Sequence, residues 1–126
     1  AVVHPVDVPS LKGAVAAAEA GIIEAVLIGP EVKIRAVAEE AKIDISPYTI
    51  IATPHSHAAA ETAVRMAREG KVEALMKGKL HTDELMRAVV DKENGLRTGR
   101  RMSHVFMADI PKFPRALYVT DAAINI

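Results

Sequence analysis

The sequence predicts an α/β protein with a mainly parallel sheet and helices on both of its faces. Short runs of aliphatic residues alternate with stretches of helical periodicity, the order that produces parallel strands joined by crossover helices. Half of the 126 residues are apolar, yet only 3% are aromatic and Trp is absent, so the core has to be built from Ala, Val, Ile, Leu and Met. A chain of this length fits one domain around one core.

Residues 1–3 read as the first strand. A helix follows over 10–21, with the Ser10 hydroxyl capping its first turn and Gly21 accepting the left-handed conformation at its end. Residues 24–28 form a buried strand. Gly29-Pro30 then turns the chain, and Pro30 suits the first helical position because its missing N–H would be unpaired there. In the second helix Ile34, Val37, Ala38 and Ala41 share a face, while Glu31, Arg35, Glu39 and Lys42 lie elsewhere. Residues 48–52 are the next strand, stopped by Pro54, and a third helix runs over 57–69 to Gly70. Its Ala60, Ala63, Val64 and Ala67 form a face that can sit close to a sheet, and Glu61 and Arg65 form an i,i+4 pair. Residues 72–76 are a fourth buried strand, leading through Lys77-Gly78-Lys79 into a helix over 82–91. Residues 94–103 have no helical stripe and read as a loop. Residues 104–108 and 116–120 are two further strands, with Pro111 and Pro114 marking an edge or a connector between them. Val26, Ile28, Ile50, Ile51, Ala74, Leu75 and Met76 are the residues expected to be buried in the sheet.

Charge and composition exclude several classes of function. Sixteen Lys and Arg balance sixteen Asp and Glu, which removes any whole-chain attraction to nucleic acid or to an anionic membrane. Without Cys there is no disulfide framework, no thiolate metal site and no cysteine nucleophile. The five histidines, His4, His55, His57, His81 and His104, show no metal-ligand spacing, so no metal site is expected. His55 and His57 read as turn and cap residues. The apolar runs fall far short of the ~20 residues needed to cross a bilayer. No signal-peptide pattern opens the chain, and the expected location is cytoplasmic. The chain starts on a strand-like run without Met and stops on the apolar Asp121-Ala-Ala-Ile-Asn-Ile126, and both ends lead us to expect a longer polypeptide.

The most informative stretch is Lys77-Gly-Lys-Leu-His-Thr-Asp-Glu-Leu-Met-Arg87, where a strand passes into a helix. Ligands of open α/β sheets collect at the carboxyl ends of strands, and helix N-termini offer free N–H groups and a partial positive charge. Thr82 can cap this helix, Lys77 and Lys79 add point charges, and Arg87 leans back toward the helix mouth. The competing reading pairs Arg87 with Asp83 or Glu84 along the helix and leaves the lysines solvated. His81, just before this site, reads equally as a hydrogen-bond donor and as packing. Downstream, Arg97, Arg100 and Arg101 fall within five residues, with Gly95 and Gly99 allowing the backbone to approach a ligand. They are candidate phosphate contacts or a solvated basic turn balanced by Asp91 and Glu93. Asp109 and Asp121 follow strand-like runs and read as active-site carboxylates or as caps.

Three ordered blocks, residues 74–87, residues 95–107 (Gly-Leu-Arg-Thr-Gly-Arg-Arg-Met-Ser-His-Val-Phe-Met) and residues 120–126, together resemble the phosphate acetyl/butyryltransferase family. Val3-His-Pro5 and Val26-Leu-Ile-Gly-Pro30 resemble its opening strands, so the resemblance covers the whole chain. The wording Lys-Gly-x-Leu-His-Thr is closest to the butyryl-type or hydratase-fused members.

The resemblance implies reversible acyl transfer between acetyl- or butyryl-CoA and orthophosphate, giving acyl phosphate and CoA. CoA is then a substrate and no cofactor is required. It implies two domains of the isocitrate/isopropylmalate dehydrogenase-like type with the active site between them, of which residues 1–126 are the N-terminal portion, and a homodimer. By the same resemblance Thr82 and Arg87 approach phosphate or acyl phosphate, with Lys77, His81 and Ser103 as neighbours. The family's thiol-deprotonating carboxylate and oxyanion-stabilising residue belong to a C-terminal half outside this sequence, so no catalytic residue is named here. A non-catalytic acyl-CoA-sensing domain fused to another enzyme, or an inactive structural fragment, are the alternatives.

Overall fold

A computed structural model describes residues 1–121 and Ile124. Its elements are β1 (Val2–Val3), α1 (Val8–Glu19), β2 (Val26–Gly29), α2 (Glu31–Ala41), β3 (Thr49–Ala52), α3 (Ser56–Arg68), β4 (Met76–Lys77), α4 (Thr82–Val89), β5 (Val105–Ala108) and β6 (Leu117–Thr120). The first four strands form a parallel sheet in the order β3-β2-β1-β4.

Alternation along the two central strands divides the core in two. Val2 and Leu27, paired in register, point to one face and pack with Leu11, Ala14 and Val15 of α1 and Ile34 and Ala38 of α2. Their neighbours Val3 and Ile28 point to the other, against Ala59, Ala60 and Ala63 of α3 and Leu85 of α4. This is the period of two that a pleated strand imposes, and it places helices on both faces as expected. Ala59, Ala60 and Ala63 of α3 sit fully buried against the sheet, and Ala67 near its end is half-buried.

Helix ends depart from the expected ones in detail. Asp7, not Ser10, caps α1: its carboxylate accepts from Ser10 N at 3.1 Å and from the Ser10 hydroxyl, and Pro9 occupies the first turn, where its missing N–H costs nothing. Pro30 stands one position earlier than expected, as the cap residue of α2. That helix ends on Lys42 in the left-handed conformation, φ 54°. His55 caps α3 through Nδ1, which accepts from Ala58 N at 3.2 Å, and Glu61 pairs with His57 at 3.1 Å rather than with Arg65.

Of the seven residues expected to be buried, only Ile28 is fully so. Val26, Ile50, Ile51, Leu75 and Met76 are half-buried and Ala74 is exposed. For residues 50–51 and 74–76 the cause is topological: β3 and β4 are the edges of the sheet, and β4 is limited to two residues by the two-residue strand it pairs with, whereas Val26 is the first residue of the inner strand β2.

β5 and β6 pair with each other in antiparallel fashion, outside the parallel sheet. Pro111 and Pro114 lie in their connection, turned by a Phe113 N–H to Ile110 O bond of 2.9 Å. Both faces of the hairpin are open, with Phe106 51%, Met107 66%, Tyr118 69% and Val119 46% exposed. The apolar tail lies outside the described residues except for Asp121 and Ile124. No helix among the described residues is long and apolar enough to cross a membrane.

Candidate functional site

The chain runs from β1 through β2 to β3 in one direction, with α1 and α2 on one face, and then crosses by α3 on the other face to set β4 on the far side of β1. The direction of winding reverses between β1 and β4, and open α/β sheets take ligands at the carboxyl ends of strands at such a point. Four connections converge on that end of the sheet: His4 after β1, Gly29-Pro30 after β2, the segment from Thr53 to Ser56 after β3, and Lys77-Gly78-Lys79 after β4.

The β1 and β4 connections are stitched by backbone. Gly78 N donates to Val3 O at 2.8 Å and Lys79 N to His4 O at 2.9 Å. Gly78 is required by space, since a Cβ there would stand 2.5 Å from Val3 O and 2.7 Å from His4 O. The Lys79 ammonium is 3.6 Å from the Asp7 carboxylate, so it is shared with a helix cap, whereas Lys77 is exposed and in no ion pair among the described residues. Asp7 titrates below the usual carboxylate range, chiefly through the Ser10 hydroxyl bond and, in smaller part, through Lys79.

At the mouth of α4 the cap residue is His81, not Thr82, because the His81 carbonyl accepts the Leu85 N–H at 3.3 Å. No side chain caps this end. The first-turn N–H groups therefore lack intrahelical partners and face outward, although Asp83 and Glu84 in the same turn oppose an incoming anion. Arg87 is exposed in the last turn, five residues beyond Thr82, a rise of about 7.5 Å that an arginine leaning toward the helix start largely covers. It forms no ion pair with Asp83 or Glu84 among the described residues. Glu84 instead accepts from the Ser56 hydroxyl at 2.5 Å, tying α4 to α3.

Lys77, His81 and Thr82 thus share one end of the sheet, all exposed. Arg97, Arg100, Arg101 and Ser103 lie in the exposed segment before the hairpin, and among the described residues none bonds to the strand-end loops. Arg100 N donates to Thr98 Oγ1 at 3.1 Å. Gly95 is crowded by the backbone of Asp91 and Val89, which makes it a turn-former after α4 rather than an approach for a ligand, while Gly99 is open. No group of three or more His, Cys, Asp or Glu among the described residues is placed to hold a metal.

Two residues at this end carried no site signal in the sequence. His4 and Thr53 are each 8% exposed, and His4 Nδ1 and Thr53 Oγ1 are enclosed without a hydrogen-bond partner. Burial holds the His4 imidazole below its ordinary pKa, with Lys33 adding to the depression, Glu84 opposing it and His55 adding slightly. At the opposite end of the sheet an open groove of about 800 Å³ is lined by Ala18, Ile23, Val26, Val72 and Leu75 together with the charged Glu24, Lys71 and Glu73.

Over its whole length the chain is 56% identical to a phosphate acetyltransferase of Rickettsia felis. The chain belongs to the phosphate acetyl/butyryltransferase family. A phosphate acetyltransferase of Rhizobium meliloti is 55% identical over 99% of the chain, and a phosphate butyryltransferase of Clostridium acetobutylicum 38% identical over 94%. The chain spans 36% of the Rickettsia relative and 40% of each of the other two. No family model matches it. Whole-chain identity is thus higher toward these two proteins named for the acetyl group than toward the one named for the butyryl group.

Proposed function

We propose that this chain is the N-terminal part of a phosphate acyltransferase and supplies the phosphate-binding wall of its cleft. The reaction is attack of an orthophosphate oxygen on the thioester carbonyl of acetyl- or butyryl-CoA. The C–O bond forms, the C–S bond breaks, and the thiolate leaves to take up a proton as free CoA. The observation that carries the reading is an anion-suited strand end, Lys77 to Thr82 at the sheet's reversal point, in a chain 55–56% identical throughout to proteins named phosphate acetyltransferase. Arg87, free of its helix neighbours, is the side chain best suited to fork onto the phosphate. The remaining length of the polypeptide, folded as a second domain of the dehydrogenase-like type, supplies the base for the thiol and the oxyanion donors. The assembled enzyme is a cytoplasmic homodimer that takes CoA without a further cofactor. Ser103 and the arginines Arg97, Arg100 and Arg101 face that second half and contact CoA or phosphate only when it is present.

The test is Arg87→Ala in the full-length enzyme, assayed in both directions. Loss of a charge-assisted contact of about 1.5–3 kcal/mol lowers kcat/KM for phosphate or acyl phosphate roughly tenfold or more, with less effect on the KM for CoA. Arg87→Lys recovers part of the loss, because the ammonium keeps the charge without the fork. Parent-like kinetics for both substrates would return Arg87 to an ordinary surface position.

A further inference from the structure

We propose that His4 presents a neutral Nε2–H at the carboxyl ends of the strands and donates it to a phosphoryl oxygen of the anionic substrate. The inference rests on the phosphate acyltransferase reading above and adds to it a donor on a strand that carries none of the basic residues.

The backbone of His4 is held on both sides. Its N–H donates to Ile28 O at 2.7 Å, and its carbonyl accepts from Val6 N at 2.9 Å and from Lys79 N at 2.9 Å. Its φ is 60°, in the left-handed region, and Pro5 follows, which further restricts helical backbone in the preceding residue. A non-glycine side chain held in this way costs on the order of 1–3 kcal/mol and persists where its surroundings enforce it, as at ligand sites.

The ring then offers one edge. Nδ1 is enclosed, near the end of β2, where the missing side chain of Gly29 leaves room: a Cβ there would stand 3.6 Å from it. Nε2 is not among the enclosed atoms and takes part in no hydrogen bond among the described residues. A proton on Nδ1 would be a buried donor without an acceptor, which proteins avoid more strictly than an idle acceptor. The proton therefore sits on Nε2. The groups acting on the ring are Lys33 of α2, Glu84 of α4 and His55 at the start of α3, and burial with Lys33 outweighs Glu84 in keeping it uncharged.

The same end holds a second orphan. Thr53, following β3 on the other side of Gly29, gives its N–H to Gly29 O at 3.0 Å and leaves its hydroxyl enclosed and unpaired. Two largely buried polar side chains thus flank one strand end. The loop bonded to the His4 carbonyl carries Lys77 and Lys79, which selects an anionic acceptor over a neutral one.

The experiment compares His4→Leu and His4→Gln in the full-length enzyme, since the glutamine amide nitrogen stands close to where imidazole Nε2 does. His4→Leu is expected to raise the KM for phosphate about three- to tenfold, the range of one neutral hydrogen bond, with the KM for CoA unchanged and most of the loss restored in His4→Gln. In the parent, inorganic phosphate is expected to shift the His4 Nε2 resonance in a histidine-labelled NMR titration. A folded His4→Leu with parent KM for phosphate, an equal rise in both KM values, or an unmoved His4 resonance overturns the proposal. If His4→Leu does not fold, the His4→Gln kinetics and the titration decide. Lys77→Ala and Arg87→Ala run alongside: if they raise the phosphate KM and the His4 variants do not, the site stands and the role of His4 falls. If the parent transfers no acyl group, the reading beneath falls, and the phosphate titration still decides whether His4 meets an anion.

Discussion

Replacing Gly78 by alanine strikes the junction between β1 and β4. The new Cβ would stand 2.5 Å from Val3 O, 2.7 Å from His4 O and 2.8 Å from the His4 carbonyl carbon. Unstrained carbon contacts settle at about 3.5–4.0 Å, so all three are overlaps, and all three are with backbone that cannot rotate aside. Relief requires β4 to move from β1, stretching the bonds of 2.8 Å and 2.9 Å that Gly78 and Lys79 donate to the same two carbonyls. Overlap with pinned backbone belongs at the upper end of the about 1–3 kcal/mol that overpacking costs. Restricting the unfolded chain returns about 0.4–1 kcal/mol, leaving a net loss of about 2 kcal/mol. For a domain of this size that is a fall in Tm of roughly 6–10 °C. Circular dichroism against temperature and urea measures it, with Gly99→Ala as the control: no atom lies within 4 Å of its added Cβ, so the change is neutral or slightly stabilising. If Gly78→Ala unfolds with the parent, the close approach of the two connections is not a feature of the folded protein.

Asp7→Ala removes the cap of α1 and is expected to cost about 1 kcal/mol, read by urea unfolding at neutral pH. Because the folded state holds the Asp7 carboxyl below its ordinary pKa, its contribution is present above the usual carboxylate range and is lost as pH falls through the folded value, so parent and variant converge in acid. The hairpin is expected to make residues 1–126 alone bind a hydrophobic dye and self-associate with concentration, measured by sedimentation. Met107→Thr with Tyr118→Thr, opposite each other on one face, should weaken both effects. A dye-silent monomer would show that the hairpin covers its own apolar faces.

The order of strands and helices was legible because it depends on local pattern: apolar runs of strand length, helical stripes on residues 31–42 and 57–69, and Gly or Pro between them. The placement of residues 77–82 where a strand passes into a helix was legible for the same reason, since such a passage is a local event. Burial in the sheet was not. Whether Leu75 or Ile50 is covered depends on which strands become edges, and the order β3-β2-β1-β4 is written in no single segment. The caps failed by small margins. Asp-x-x-Ser with Pro9 between was readable as a start at Asp7, whereas the choice of His81 over Thr82 depends on which carbonyl the Leu85 N–H reaches. His4 and Thr53 were hidden because being buried without a partner is a property of the assembled sheet, and the cue available, a histidine between a strand and a proline, is common.

β1 contributes two residues, yet it is the strand that joins the two halves of the parallel sheet. Val2 meets Leu27 on one side and Met76 on the other, so the second contact closes a loop of more than seventy residues. Closing such a loop costs entropy before any pairing rewards it, and sheets built from distant segments form slowly. The β2–β3 unit with α2 can assemble from chain close at hand. The junction between β1 and β4 cannot exist until β4 has been made and brought back to β1. During synthesis the junction of β1 and β4 therefore takes shape after β2, β3, α2 and α3 have been made.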